Sequence, residues 1–346
     1  MTEITAFAPG RVNLIGEHTD YNGGLALPFA IHQGVTVRGR QGHDGRLHAR
    51  ALDLGERDGF ALSEPPGPAR GWRAFVHGAA AELQRAGVTL PGADLTITGT
   101  VPRGGGLSSS AALGVALTLA LQALAGLRDP PALEVAQTCA RVESEWVGAQ
   151  TGLLDQLASL LGREGCAVLL DFEALEDEPQ LVPLDLRDSH LVLLDSGQRR
   201  ALAGSGYNER RRECEEACRL LGVSSLRHAD PTHAQTLPDP LNRRVRHVLT
   251  ENDRVREAVR ALEATDLPEL GRLLDASHAS LRDDYEISTR AVEAAVERCR
   301  SAGAIGARLM GGGFGGSVLA LLPPGAKPPS GALAVSPGPG AHVEHA

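Results

Sequence analysis

The sequence predicts a two-domain α+β protein. It has 346 residues, enough for two domains that each bury a core of their own. Its predicted strands and helices interleave without the regular strand–helix–strand period of a parallel-sheet protein. The stretch 173–183 is acidic, contains two prolines and separates two groups of elements, so we expect one domain to end there. The predicted domains are residues 1–178 and 179–346.

Elements of the first domain follow from hydrophobic patterning. Residues 35–62 alternate apolar and polar side chains around Gly/Asp turn residues at 42–45, which predicts antiparallel strands. The apolar run 111–127 follows several serines and is short for a membrane span, so we predict a buried core helix. The other segments with helical or strand periodicity predict helices at 72–86, 133–147 (closed by Gly148) and 153–161 and strands at 94–100 and 166–172.

Elements of the second domain are mostly helical. A buried strand is predicted at 191–194, and two more at 304–310 and 317–322 are joined by a glycine turn. The residues from 323 onward are rich in proline and glycine, and we expect them to be weakly structured. The amphipathic segments predict helices at about 206–221, 241–262, 266–281 and 288–302.

Composition excludes several classes of protein. The formal net charge is −9, the opposite of the bias of a nucleic-acid binder, so we expect no nucleic-acid partner. Lys327 is the only lysine. Walker A ATPases, protein kinases and pyridoxal enzymes all need an internal lysine, so these classes are excluded.

Cysteine usage and the N-terminus predict where the protein works. The five cysteines form no CxxC pair, which favours a reducing compartment over a disulfide framework. The first residues lack a basic segment followed by an apolar one, so no signal peptide is predicted. We expect a cytoplasmic protein that does not bind membranes.

A glycine-serine stretch at 102–112 has the composition of a phosphate-binding loop. Gly104, Gly105 and Gly106 let several backbone N–H groups converge on an anion. The following helix directs its N-terminus toward the same place, and the hydroxyls of 108–110 suit phosphate oxygens or Mg²⁺. A flexible linker that ends in a helix N-cap is the alternative reading of this stretch alone.

A second glycine run, 311–316, matches the GxGxxG pattern of dinucleotide-binding proteins and the glycine loop of protein kinases. The dinucleotide pattern requires a helix after the turn, whereas residues 317–322 read as a strand. The kinase reading lacks its lysine and its His-Arg-Asp motif. The run is therefore predicted as a hairpin, either one that lets backbone approach a ligand closely or a plain tight turn.

The polar stretch 9–24 (PGRVNLIGEHTDYNGG) concentrates hydrogen-bonding side chains in a glycine-rich turn region flanked by apolar residues. Such a density suits a ligand with many hydroxyl groups, because each hydroxyl needs a partner. A site of this kind rejects analogues that leave its polar groups unpaired.

This stretch closely resembles the galactokinase signature. Together with PRGGGLSSSAA at 102–112 and RLMGGGFGGS at 308–317, in that order, it is similar to the three motifs of the GHMP kinases, and the likeness runs from about residue 7 to 322. The resemblance implies the two-domain GHMP kinase fold, with mixed sheets, helices and an active site in the cleft between domains. It implies transfer of the ATP γ-phosphate to the anomeric hydroxyl of D-galactose in galactose catabolism, with Mg²⁺.

The resemblance also implies roles for individual residues. Asp155 matches the catalytic base, and Arg11 the residue that stabilises the transition state. Ser110 and Glu143 match the Mg²⁺ ligands. The positions that match galactose-binding residues are Glu17, His18, Thr19, Asp20 and Tyr207. Those that match ATP-binding residues are Gly104, Gly105, Gly106, Leu107, Ser108, Ser109, Ser110 and, near the adenine, Trp72.

Elementary electrostatics supports part of this assignment. An aspartate at a helix N-terminus beside Arg11 is expected to be ionised at neutral pH, as a base must be. The same stabilisation weakens Asp155 as a base, so we expect late proton transfer in a loose phosphoryl transfer. Neighbouring Glu145 and the acidic run 176–178 are expected to be solvated surface groups.

Two other functions remain open from the sequence. A non-catalytic sensor of sugar and ATP is disfavoured because the serine-alanine stretch 108–111 is intact. A related kinase for another sugar, such as N-acetylgalactosamine or arabinose, differs by as little as one pocket residue. We expect the protein to act as a monomer on its small-molecule substrates.

Overall fold

The computed structural model describes residues 3–102, 106–149, 152–198 and 204–345. Its strands and helices come largely in runs and not in a regular strand–helix alternation, as expected for an α+β fold. Up to residue 183 they are strands β1 (Glu3–Asn13), β2 (Leu25–Ala26), β3 (Pro28–Gln41), β4 (Arg46–Ala51) and β5 (Glu56–Ala61), helix α1 (Trp72–Arg85), β6 (Ala93–Gly99), helices α2 (Ser109–Leu124), α3 (Ala132–Arg141) and α4 (Leu154–Leu161), then β7 (Cys166–Asp171) and β8 (Gln180–Pro183).

The remainder of the chain is mainly helical, as its amphipathic patterns predict. Its elements are β9 (His190–Asp195), helices α5 (Gly204–Leu221), α6 (Pro231–Ala234), α7 (Leu241–Glu263), α8 (Leu267–Asp283) and α9 (Arg290–Ser301), and strands β10 (Gly306–Met310), β11 (Ser317–Leu322), β12 (Leu333–Val335) and β13 (His342–His345). Strands β10 and β11 pair antiparallel through the glycine turn, which confirms the predicted hairpin.

The largest sheet has six strands in the order β13-β1-β3-β6-β4-β5. Strands β4 and β5 pair antiparallel as predicted. Strands β3 and β4, adjacent in sequence, do not pair with each other, because β6 lies between them and runs parallel to β4. Alternate residues of β6, including Leu95 and Ile97, face the same core as α1 and α2. Burial of this apolar face favours a central position for β6.

Helix α2 lies at the centre of the first core. Thirteen of its residues are buried, as the absence of a polar face in its sequence predicts. It packs on β1, β3 and α1 and directs its N-terminus toward the loop before it. No helix in the described part of the chain is both long and apolar enough to cross a membrane.

The described residues form two smaller sheets as well. One has the order β10-β11-β9-β12 and the other β2-β7-β8. A second hydrophobic core joins the apolar residues around the polar stretch, such as Leu14 and Ile15, to α7, α8 and β11. The two halves of the sequence therefore share a core directly beneath the polar stretch.

One local expectation is wrong. The end of the chain is not weakly structured, because β12 pairs with β9 and β13 pairs with β1; partner strands supply the order that local composition does not. The helix predicted at 133–147 is present and ends at Gly148, with its last turn, Val142–Val147, π-helical. The acidic stretch 173–183 contains β8, which pairs with β7. The division into residues 1–178 and 179–346 stays a prediction.

Candidate active site

The polar loop between β1 and β2 is anchored to helix α7 by two hydrogen bonds. The backbone N–H of Gly16 donates to Glu251 Oε1 at 3.1 Å, and that of Leu25 donates to Asn252 Oδ1 at 2.8 Å. Both acceptors are buried. Two adjacent residues of α7 thus fix both ends of the loop, although they lie more than 220 positions away in sequence.

Glu17 lies under the glycine hairpin and is almost fully buried. Its Oε1 accepts a hydrogen bond from the backbone N–H of Gly311 at 2.6 Å and lies 3.1 Å from a guanidinium nitrogen of Arg308. Arg308 is itself fully buried in β10 and donates to the carbonyl of Asn13 at 2.9 Å. The hairpin therefore brings its backbone against the polar loop, and an ion pair neutralises the buried carboxylate.

Asp20 is the most perturbed carboxyl group of the loop. Burial raises the pKa of Asp20 to about 7, and the negative charges of Asp155 and Glu17 add to this effect, while the N–H of Tyr21 opposes it. These three carboxyl groups thus share one region, as the motif analysis predicts. A methyl group on Gly152 would lie 1.8 Å from Asp20 Oδ2, so only glycine leaves room for this carboxyl group.

Asp155 lies in the first turn of α4 and is held by two side chains. A guanidinium nitrogen of Arg11 lies 2.6 Å from Asp155 Oδ1, and the hydroxyl of Ser108 donates to Oδ2. Arg11 also donates to the carbonyl of Gly106 at 2.7 Å. Its side chain is 8% exposed and that of Asp155 is 26% exposed, so the carboxylate is more accessible to a ligand than the arginine is.

The loop before α2 packs against β1. The N–H of Arg11 donates to the carbonyl of Leu107 at 3.2 Å. A Cβ at Gly10 would lie 2.5 Å from the same oxygen, so the close approach requires glycine. Ser108 has a φ of 55° and Ser109 begins the helix. The first turn of α2 exposes Ser109 and Ser110, where hydroxyls and backbone N–H groups suit an anion. Gly104 and Gly105 lie outside the described residues.

Comparison with known proteins identifies the family of this arrangement. The galactose-binding signature of galactokinases matches residues 2–41, and the N-terminal and C-terminal domains of GHMP kinases match residues 74–163 and 258–336. A galactokinase of Mycobacterium tuberculosis is 46% identical over 320 residues, which cover 91% of this chain and 88% of that protein. The chain belongs to the galactokinase family.

Further relatives agree with this assignment. A galactokinase of Roseiflexus is 42% identical over 325 residues, covering 91% of this chain and 82% of that protein. The crystal structure of Lactococcus lactis galactokinase complexed with galactose superimposes with a TM-score of 0.90 at 33% identity, covering 98% of this chain and 95% of that one. The mevalonate kinase of Methanococcus jannaschii, at 18% identity and a TM-score of 0.66 over 92% of this chain and 90% of that one, shares the GHMP fold. The chain is an ATP-dependent sugar kinase with the two-domain α+β fold of that family.

The remaining side chains that were predicted to bind the sugar lie in the same loop or against it. The rings of His18 and Tyr207 have centroids 5.2 Å apart. A Cβ on Gly312 would lie 3.1 Å from the ring of Tyr207, so the glycine hairpin also touches this tyrosine. Thr19 is fully buried, with its hydroxyl 2.7 Å from the carbonyl oxygen of Leu25. This hydrogen bond of Thr19 lies within the loop, and the binding of the sugar by Thr19 stays a prediction.

The two predicted metal ligands differ in their surroundings. Ser110 is exposed at the start of α2, whereas Glu143 is buried and accepts a hydrogen bond from Gln156 at 3.0 Å. Gln156 follows Asp155 in α4, so this bond ties Glu143 to the helix that carries the predicted base. Within the described residues, no group of three His, Cys, Asp or Glu side chains is arranged to hold a metal ion.

Trp72 begins α1, and its indole N–H donates to Glu56 at 2.7 Å. The guanidinium of Arg73 lies 5.0 Å from the centre of its ring. The indole is half-buried, which leaves part of the ring free to contact a ligand. Its role near adenine stays a prediction.

Sequence reasoning missed the residues that support the loop from the second half of the chain. Glu251 and Asn252 lie in an ordinary amphipathic helix and belong to no motif. Arg308 carried a usable signal, because an arginine within a fully apolar strand requires a buried anion as its partner. The identity of that anion, Glu17, is visible only in three dimensions.

Proposed function

We propose that this member of the galactokinase family phosphorylates the anomeric hydroxyl of D-galactose with Asp155 as the base and Arg11 as the group that stabilises the transferring phosphoryl. The observation that carries the proposal is the contact of Arg11 with both Asp155 and the phosphate-loop carbonyl of Gly106. One guanidinium thereby links the predicted base to the predicted ATP site.

The sugar occupies the region bounded by Glu17, His18, Asp20 and Tyr207. There the anomeric hydroxyl replaces Ser108 as the donor to Asp155 Oδ2. Asp155 accepts the hydroxyl proton as the sugar oxygen bonds to the γ-phosphorus of ATP. The bond from that phosphorus to the bridging oxygen breaks at the same time, ADP leaves, and Arg11 balances the charge on the equatorial oxygens. Holding both reactants in line accounts for a large share of the rate.

ATP is the phosphoryl donor, and its phosphates lie at the loop 104–110 and the N-terminus of α2. The arrangement fits Mg²⁺, which takes oxygen ligands and commonly keeps phosphate oxygens and waters beside one or two protein groups. Ser110 and Glu143 would hold it, and when bound it neutralises charge on the phosphates.

Replacement of Asp155 tests the mechanism. Asp155→Asn keeps the shape of the side chain and removes the base, so turnover should fall by about 10²–10⁴-fold. Galactose binding measured by calorimetry should remain. Glu145→Gln is the control, because Glu145 is exposed and pairs with Arg85 on the surface; its turnover should match the parent. Near-normal turnover in Asp155→Asn would exclude Asp155 as the base.

A panel of sugars tests the substrate. Initial rates with Mg-ATP should be highest for galactose and lower for 2-substituted or deoxy analogues, because unpaired polar groups in the site oppose their binding. A higher rate with N-acetylgalactosamine or arabinose would reassign the substrate and keep the reaction. We further propose that the kinase works in the cytoplasm as a monomer; sedimentation of the purified protein tests its oligomeric state.

A further inference from the structure

The three tyrosines of the chain gather beneath His18 and connect it to the second half of the protein. His18 Nδ1 lies 2.7 Å from the hydroxyl of Tyr21. That hydroxyl lies 3.0 Å from the hydroxyl of Tyr285, which in turn lies 3.0 Å from the sulfur of Cys214. Tyr207 packs its ring against both His18 and Tyr21.

The far end of this chain of polar groups has a defined donor. Asn22 Nδ2 lies 2.8 Å from the carbonyl oxygen of His18, which can only accept, so this nitrogen is the amide NH₂. The same nitrogen approaches the sulfur of Cys214 at 3.7 Å. The sulfur therefore accepts from Asn22.

Each hydroxyl and the thiol carries one proton, so two orders have every hydrogen bond running in the same direction. Any mixed order makes one tyrosine hydroxyl accept twice and leaves its own proton without an acceptor among these groups. In the first, Cys214 donates to Tyr285, Tyr285 to Tyr21 and Tyr21 to His18 Nδ1. In the second, every bond is reversed, and the thiol proton has no acceptor within the described part of the chain. Cys214 and Tyr285 are buried, where a polar proton without a partner is unfavourable. The first order also uses imidazole nitrogen, a better acceptor than a phenol oxygen.

We infer that Tyr21, Tyr285 and Cys214 are positioning residues that keep neutral His18 protonated on Nε2. An imidazole with its proton on Nε2 donates from that nitrogen. The hydrogen-bond chain therefore requires a sugar hydroxyl that contacts Nε2 of His18 to present a lone pair to it. That consequence for the sugar rests on the proposed function, whereas the tautomer itself does not.

Nitrogen NMR of the full-length protein without ligands measures the tautomer directly. At about pH 8, where an ordinary imidazole is neutral, the His18 Nδ1 resonance should have the shift of an unprotonated nitrogen. The spectrum of His18→Gln identifies that resonance among the 12 histidines. A protonated Nδ1 in the parent protein would overturn the inference.

Variants of residues in the hydrogen-bond chain distinguish a positioning role from a general structural role. Tyr285→Phe removes the hydroxyl in the middle, so His18 should populate both tautomers and KM for galactose should rise about 2- to 12-fold with kcat little changed. Cys214→Ser, which keeps a donor, should retain the parent tautomer, and Cys214→Ala should lose part of it. Cys299→Ala, another buried thiol, is the control and should change neither readout.

The outcomes distinguish this inference from the proposed function. An unchanged tautomer in Tyr285→Phe, with the variant folded by thermal melting, would overturn the positioning role. A changed tautomer with an unchanged galactose KM would support the positioning role and remove His18 from the proposed sugar site.

Discussion

Asp20→Asn should make the protein more stable while it removes sugar binding. The folded-state pKa of Asp20 is raised from 3.8 to about 7, so folding favours the protonated carboxyl group. Ionisation of Asp20 therefore destabilises the folded protein. This destabilisation is absent below about pH 4, grows between about pH 4 and about pH 7, and is constant at higher pH. An asparagine never ionises and should escape this destabilisation.

The structure bounds the size of this effect. A shift from 3.8 to about 7 corresponds to about 4 kcal/mol of unfolding free energy at high pH. Asp20 keeps some exposure to solvent, and screening reduces such values, so we expect about 2 kcal/mol. For a chain of 346 residues that corresponds to a rise in Tm of about 3 °C.

Thermal melting of parent and variant from about pH 4 to about pH 8 is the assay. The Tm of Asp20→Asn should equal that of the parent at the acid end and exceed it increasingly toward neutral pH. Asp171→Asn is a control of opposite sign: although burial opposes it, hydrogen bonds from Arg227 lower the pKa of Asp171. Its removal should destabilise the protein at neutral pH and matter less as pH falls. A Tm difference for Asp20→Asn that is zero or independent of pH would refute the reasoning.

Three further changes test how the site is built. Gly152→Ala should raise KM for galactose more than tenfold with little change in KM for ATP in initial-rate kinetics, because the methyl group displaces Asp20. A KM for galactose equal to that of the parent would contradict the close contact. Asn252→Ala leaves the N–H of Leu25 buried without its acceptor, and urea unfolding should show a loss of about 1–3 kcal/mol, against no loss for the exposed Asp253→Ala on the same helix. Arg308→Leu leaves Glu17 as an unpaired buried charge and should lower the unfolding free energy by about 3–5 kcal/mol; adding Glu17→Gln should recover part of that loss, and failure to do so would show that the pair is not the cause.

Local patterning was enough to predict most helices. The all-apolar sequence of α2 and the amphipathic sequences of α1 and α7 to α9 predict helices at the observed places, because helical periodicity is written within a few turns. The strands of the terminal 24 residues escaped prediction. Their pairing with β1 and β9 depends on partners far away in sequence, and no local pattern encodes a partner.

Strand order shows the same division. The alternation within residues 35–62 predicts strands, and antiparallel β4 and β5 confirm it. The insertion of β6 between β3 and β4 places Leu95 and Ile97 in the same core as α1 and α2. This packing joins residues that are distant in sequence, so local patterning does not predict it.

The sequence by itself determined the chemistry that this chain carries. Its three motifs contain the hydroxyls, carboxylates and glycines typical of a sugar kinase. These groups are recognisable in the sequence because each short loop carries several of them close together. Only the tertiary structure decided how those groups are held and charged. Asn252 fixes the loop from α7, Arg308 neutralises Glu17, and Asp155 helps to raise the pKa of Asp20. Hydrogen bonds, burial and charge act through space, so their partners are set by the fold and not by neighbouring positions in the chain.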